Sequence, residues 1–218
     1  MLTIDNDRFR EAFEEYSAIG ATENDGLHRL ALTDADKAVR DRFVEDLETL
    51  GLDVRIDRIG NVFGRRPGTD DDANPVLIGS HLDSQPYGGR YDGQLGVLTA
   101  LETLRTLDDE GIETERPIVI ANWTDEEGSR FHSALLGSSV FAGQLPLEDA
   151  LEITDADGAR VGDELGRIGY DGEMEPGALD VHAGLELHVE QGPRLVESGT
   201  PVGVVEGEGT EFDPADAA

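Results

Sequence analysis

Apolar residues recur along this chain at two periods. Over residues 6–18, Phe9, Phe13 and Tyr16 fall three or four apart, which lines them along one face of a helix that Gly20 ends. Val39, Phe43, Leu47 and Leu50 repeat the spacing over residues 34–50. There Thr33 stands at the N-cap position, and Gly51 where a left-handed C-terminal residue belongs. Residues 52–59 and 61–65 alternate instead, predicting two strands about Gly60-Asn61. Two short apolar runs, Pro75-Val76-Leu77-Ile78 and Pro117-Ile118-Val119-Ile120-Ala121-Asn122-Trp123, read as buried strands. The first leads to His81 and the second to Thr124-Asp125-Glu126-Glu127.

Between them, residues 94–107 return to helical spacing. Short helices are expected over 135–141, 147–153 and 162–168, a third strand over 185–190, a short helix to Glu197, and a fourth strand over 202–205. Strands alternating with helices predict an α/β fold with a mixed, largely parallel sheet and helices on both faces. Residues 1–206 read as one such unit. Residues 207–218 have one large apolar residue, Phe212, and no periodicity, so a disordered tail is expected there.

Composition narrows the class. Of 218 residues, 38% are hydrophobic and 27 more are glycine, enough for a sizeable core. No run approaches the ~18 apolar residues of a membrane span. The N-terminus has no basic stretch followed by an apolar one, so no signal peptide and a cytoplasmic location are expected. Without cysteine, only imidazole and carboxylate are left to bind a metal. The 17 basic and 48 acidic residues give a net charge of −31, a surface that repels nucleic acid and anionic membranes. A folded chain with that charge fits a high-salt cytosol, where a screening length of ~3 Å at molar ionic strength suppresses self-repulsion.

Three strand ends present similar side chains: His81 with Asp83 and then Asp92, Glu126 with Glu127, and His188 with Gln191. Open α/β sheets bind ligands beyond the carboxyl ends of their strands. Divalent ions of the hard and borderline kind want imidazole nitrogen and carboxylate oxygen, and so many carboxylates in one crevice could not all stay ionised without cations. Two-metal hydrolytic sites hold their ions roughly 3.5–4 Å apart with a shared ligand, a role that suits Asp92. Glu126 and Glu127, adjacent on extended backbone, point different ways, so one can bind metal while the other handles a proton. His28, His132 and His182 have no partner at ligand spacing.

Four segments carry a resemblance: Gly79-Ser80-His81-Leu82-Asp83-Ser84-Gln85-Pro86, Gly88-Gly89-Arg90-Tyr91-Asp92-Gly93, Asp125-Glu126-Glu127-Gly128-Ser129-Arg130-Phe131 and His188-Val189-Glu190-Gln191-Gly192-Pro193. Their order and content resemble the M20 family of dinuclear metallohydrolases, within it the amidase branch of hydantoinase/carbamoylase type. The resemblance implies a zinc-exopeptidase-like catalytic domain and two divalent ions, zinc, manganese, cobalt or nickel. It implies that His81 and His188 bind one ion with Asp92 bridging, that Glu127 binds the second, and that Asp83 orients His81. Glu126 is then the general base that takes a proton from metal-bound water and passes it to the leaving nitrogen. Gln191 contacts the substrate. The peptide bond after Asp92 is often cis in the family, which Gly93 would make tolerable.

The implied substrate is a small molecule, an N-carbamoyl-L-amino acid or ureido acid, with an aminoacylase or dipeptidase as the alternative. Family members continue past residue 206 with a lid domain and a last catalytic segment bearing one more histidine. The expectation is therefore a truncated or split form with an incomplete second site. A complementing chain carrying the lid and that histidine would finish it; otherwise the chain is a non-catalytic metal-binding remnant.

Overall fold

The computed structural model describes residues 2–205. The expected tail, residues 207–218, lies outside them. The elements in chain order are α1 (Asn6–Ala18), β1 (Gly26–Leu27), α2 (Asp34–Thr49), β2 (Asp53–Ile56), β3 (Val62–Arg66), β4 (Val76–His81), β5 (Gly88–Gly89), α3 (Gln94–Asp109), β6 (Ile118–Trp123), α4 (Leu136–Phe141), α5 (Leu147–Leu151), α6 (Val161–Ile168), β7 (Ala183–Leu185) and α7 (Arg194–Ser198). The mixed α/β class expected from the periodicity is observed.

Local chemistry explains the boundaries. Asp5 caps α1 by accepting from the Asp7 and Arg8 amides, and Thr33 caps α2 by accepting from Asp36. β2 stops at Ile56, short of the expected 59, because the buried Asp57 carboxylate takes the Ile59 and Asn61 amides at 3.1 and 2.8 Å. Those amides are then lost to any ladder, and the chain turns into β3.

The main sheet has the order β2-β3-β6-β4-β7. β2, β3 and β6 pair antiparallel; β6, β4 and β7 pair parallel. Alternate residues face opposite sides. Val62, Ile78 and Ile120 join the large apolar cluster that α1, α2 and α3 cover, while Phe63, Leu77, Val119 and Ala121 join a small one closed by Trp123, Phe141, Met174 and Leu179. β1 and β5 form a separate antiparallel pair that holds the glycine loop after β4 against the segment following α1.

The C-terminal part differs from expectation. The third strand covers Ala183–Leu185, not 185–190, and residues 202–205 form no strand. After Leu185 the chain leaves the sheet: the Leu187 carbonyl lies against Gly96 in the first turn of α3, and Glu186 hydrogen-bonds Ser80. Residues 202–205 have no sheet partner among the described residues. Backbone without a neighbouring edge does not form a strand, however apolar its side chains.

Candidate metal centre

The site sits at the carboxyl ends of β4 and β6. Their parallel register places His81 beside Trp123, so the segments that follow, Leu82-Asp83-Ser84 and Thr124-Asp125-Glu126-Glu127, run side by side. Gly79 makes this close approach workable: its φ is +143°, and a β-carbon there would run into the Ala121 carbonyl.

Asp83, buried to 2% exposure, joins the two segments. Its Oδ1 accepts from the Glu126 amide and its Oδ2 from the Glu127 amide, each at 3.3 Å. Oδ1 also lies 3.5 Å from His81 Nδ1, and the Asp83 backbone carbonyl lies 3.0 Å from that nitrogen.

A buried scaffold supports these segments from beneath. Arg40 donates to Asp36 at 2.8 Å, to the Gly60 carbonyl at 2.7 Å and to Thr124 Oγ1 at 3.3 Å. Asn61 accepts from the Thr124 amide at 3.0 Å. Arg29 and Ser84 exchange backbone and hydroxyl bonds at 2.9 Å, and an Arg29 guanidinium nitrogen reaches Gln94 at the start of α3.

Asp92 arrives from the glycine loop immediately before α3. Gly93, between them, has φ +62°, and a β-carbon there would overlap the His81 imidazole. The spacing of Asp92 from His81 therefore depends on the missing side chain. No cis peptide bond occurs among the described residues, so the bond after Asp92 is trans, contrary to expectation.

His81, Asp92 and His188 each offer one ligand atom, and these three atoms lie within 4.8 Å of one another. The imidazoles stack with centroids 5.8 Å apart and planes 28° apart. His188 Nε2 is 3.2 Å from Asp92 Oδ1, and His81 Nε2 is 3.3 Å from Glu126 Oε2. The other ring nitrogens face backbone carbonyls: His81 Nδ1 that of Asp83, and His188 Nδ1 that of Val189 at 2.9 Å. A carbonyl only accepts, so each Nδ1 carries a proton, and Nε2 is the ring nitrogen left facing the cluster.

The fit to a divalent cation rests on orphaned atoms. His81 Nε2 is buried and has no partner in hydrogen-bond geometry, the nearby Glu126 oxygen being off-axis; Glu127 Oε1 is likewise buried and unpartnered. Polar atoms rarely stay so without a ligand.

The field at the site is anionic. Burial opposes a charged His81 ring, but the Asp83 bond and the Asp83, Glu126 and Glu127 charges outweigh it and push its pKa up to about 10. The bond to Asp92 raises His188 against a smaller burial effect, and the same bond lowers Asp92. Burial raises Glu126, only partly offset by His81. A field that holds a proton on these rings holds a cation in its place.

Not every expected residue joins the cluster. Glu127 stands outside the group of three, its Oε2 accepting from Gln85 at 2.9 Å. Gln191, expected at the substrate, donates Nε2 to both Asp92 oxygens at 2.8 and 2.6 Å from a left-handed backbone with φ +55°. His188 is reached from an irregular stretch, not a strand end. Sequence reasoning assigned no role to Gln85, although it lies within the first motif. Nor did it find the Asp36–Arg40 pair, whose i,i+4 spacing resembles any surface ion pair. Asp125 sits at φ +49° with both carboxylate oxygens buried and unpartnered, and burial first, then Asp83 and Asp36, raises its pKa to about 8.

The profile of peptidase family M20/M25/M40 matches residues 77–216. The chain belongs to the M20 family. An N-carbamoyl-L-amino-acid amidohydrolase of Rhizobium meliloti is 49% identical over 202 residues, covering 93% of this chain and 49% of the relative. A ureidoglycolate hydrolase of Arabidopsis thaliana is 36% identical over 94% of this chain and 45% of its own length. The crystal structure of a hydantoinase/carbamoylase family amidase from Burkholderia multivorans superposes with a TM-score of 0.89 at 50% identity, over 91% of this chain and 48% of that one. This M20 chain thus spans about half the length of the relatives it matches.

Proposed function

We propose that this M20 chain is the metal-holding part of a hydrolase that cleaves a linear C–N bond in an N-carbamoyl amino acid or ureido acid. The observation that carries the reading is the convergence of His81, Asp92 and His188, with Glu126 Oε2 beside the inward nitrogen of His81. In this reading His81, Asp92 and His188 hold one divalent ion, and Glu127 contributes to a second. A bound divalent ion supplies Lewis acidity to a carbonyl and acidity to water.

The chain's own residues supply the proton handling. Glu126 takes a proton from the attacking water and delivers it to the leaving nitrogen, and burial, by raising its proton affinity, suits it to both directions. Asp83 holds His81 and the Glu126–Glu127 backbone in one arrangement. Carbamoyl and ureido chemistry is favoured over peptide cleavage by the Rhizobium and Arabidopsis relatives. In this reading the site is completed by the part of those relatives that the match leaves uncovered, and high salt in a cytosol is the medium that a charge of −31 suits.

Calorimetric titration with zinc or manganese tests the reading. The chain takes up about one tightly held ion per molecule. His188→Ala abolishes that binding, while Glu126→Gln keeps it. With the site completed, Glu126→Gln loses turnover of N-carbamoyl amino acids. A chain that holds no ion, or one that His188→Ala leaves bound, overturns the assignment.

A further inference from the structure

Asp92 is the member of the cluster delivered by a glycine-rich loop. His81 ends a buried strand, whereas Gly88, Gly89 and Gly93 surround Asp92. Such backbone has wide freedom, so the loop's own sequence does not fix where Asp92 stands. Gln191 and His188 meet its carboxylate, not its backbone. The position of the loop has to come from what the loop touches.

What it touches is α1. Before Asp92, the Tyr91 ring stacks on Phe13 with centroids 4.9 Å apart and planes 27° apart. The Arg90 guanidinium stands over both rings, 5.5 Å from the Phe13 centroid and 5.6 Å from that of Tyr91, and donates to Glu14 at 2.9 Å. After Asp92, the fully buried Gln94 donates Nε2 to Ser17 Oγ at 2.8 Å, and Ser17 Oγ donates in turn to the Phe13 carbonyl at 2.7 Å. Gln94 Oε1 accepts from Arg29, which also donates to the Tyr16 carbonyl, both at 2.9 Å. One helix therefore fastens the loop on either side of Asp92.

These contacts are unequal. The Glu14 side chain is 64% exposed, so its pair with Arg90 is solvated and screened in molar salt. The stack is not a charge pair and persists there. Phe13 is buried and packs on Phe9 as well, which makes it a fixed platform. Tyr91 is 51% exposed, so the core hardly needs it; what its covered face fixes is the loop.

We infer that α1 is the positioning element for Asp92, with Tyr91 stacked on Phe13 and Gln94 bonded to Ser17 as positioning residues that hold the carboxylate toward His81 and His188. The inference rests on the proposed function for its consequence, since Asp92 matters there as a ligand, but the hold on the loop is read without metal. A ligand in place for only part of the time weakens binding in proportion to that fraction.

The test uses the full 218-residue chain in molar KCl. With a chelator present, hydrogen exchange is followed at the amides of Asp92, Gln94, Leu95 and Val97, which donate to the carbonyls of Gly89, Asp92, Tyr91 and Gly93 respectively. Tyr91→Ala, at an exposed position where folding is not at stake, should speed their exchange about 3–10-fold, as expected for loss of one aromatic pair, and leave β4 and β6 unchanged. Zinc titration of the same variant should show binding weaker by a similar factor. Tyr91→Phe keeps the stack and should restore both readings. Unchanged exchange in Tyr91→Ala overturns the inference, as does exchange speeded equally in β4 and β6, which marks a loss of overall stability. Faster exchange with unaltered zinc affinity overturns it too, since the loop then moves without carrying the ligand. A wild-type chain that takes up no zinc overturns the proposed function alone, and the exchange readings still decide the hold on the loop.

Discussion

Gly93 is the position where one added carbon tests the geometry of the centre most directly. Its backbone is at φ +62°, ψ −51°, a region that L side chains rarely enter, and its missing β-carbon would occupy the space of the His81 ring. His81 is 1% exposed, fixed by Asp83 on one side and β6 on the other, so the ring has nowhere to retreat. Gly93→Ala therefore combines two costs: backbone strain of about 1–3 kcal/mol and overpacking of about 1–3 kcal/mol. Together they give a loss of about 2–6 kcal/mol, a large fraction of the ~5–15 kcal/mol that holds a domain folded. Gly111→Ala is the reference for a positive-φ glycine without the clash, because Gly111 also has φ +62° and has open space around it. It should lose only the backbone part. The assay is equilibrium unfolding of both variants in molar KCl, followed by zinc titration. Gly93→Ala should also bind zinc about 10–100-fold more weakly, as when a group that orients a ligand is disturbed. Equal losses in the two variants, with unchanged zinc affinity in Gly93→Ala, would refute the argument that the glycine exists to admit His81.

Three further outcomes are expected. Arg40→Met strands the fully buried Asp36 carboxylate and should cost about 3–5 kcal/mol by thermal or chemical unfolding, whereas Asp36→Leu combined with Arg40→Met should recover most of it. Asp57 is an acid whose folded pKa is raised from 3.8 to about 6, chiefly by burial and against the bonds from Asn61 and Ile59, so its ionised form costs stability and protonation restores it as pH falls. Relative to Asp57→Asn, the wild type should gain roughly 2 kcal/mol between about pH 7 and pH 4, read by unfolding at each pH; no relative gain would mean the carboxylate is not raised. Dialysis from molar to millimolar salt should cost the chain its circular dichroism, because a charge of −31 is then unscreened; an unchanged spectrum would contradict the high-salt reading.

Much of the fold was legible from periodicity, because the helices and inner strands bury one face each and so must repeat at 3.6 or 2 residues. α1 falls on its expected bounds, and α2, β4 and β6 nearly so. The errors lie where pairing partners, not side chains, decide. Val202 to Val205 read as a strand, yet among the described residues no neighbouring backbone receives them. Residues 186–190 leave the sheet to carry His188 round to α3. Within the site, the ligand types were readable because four separate motifs, in family order, each bring imidazole or carboxylate. The exclusion of Glu127 from the group of three, and the hold of Gln191 on Asp92, were not readable, since each depends on a contact between segments far apart in the chain.

The sequence by itself determined the class of the fold, the M20 kinship and the set of side chains available to a cation, because those follow from short-range pattern and residue chemistry. Tertiary structure alone decided which three of them meet and that Asp83 serves both strand ends at once. Distances between remote segments are set by the packing of the whole core, and no local stretch of sequence contains them.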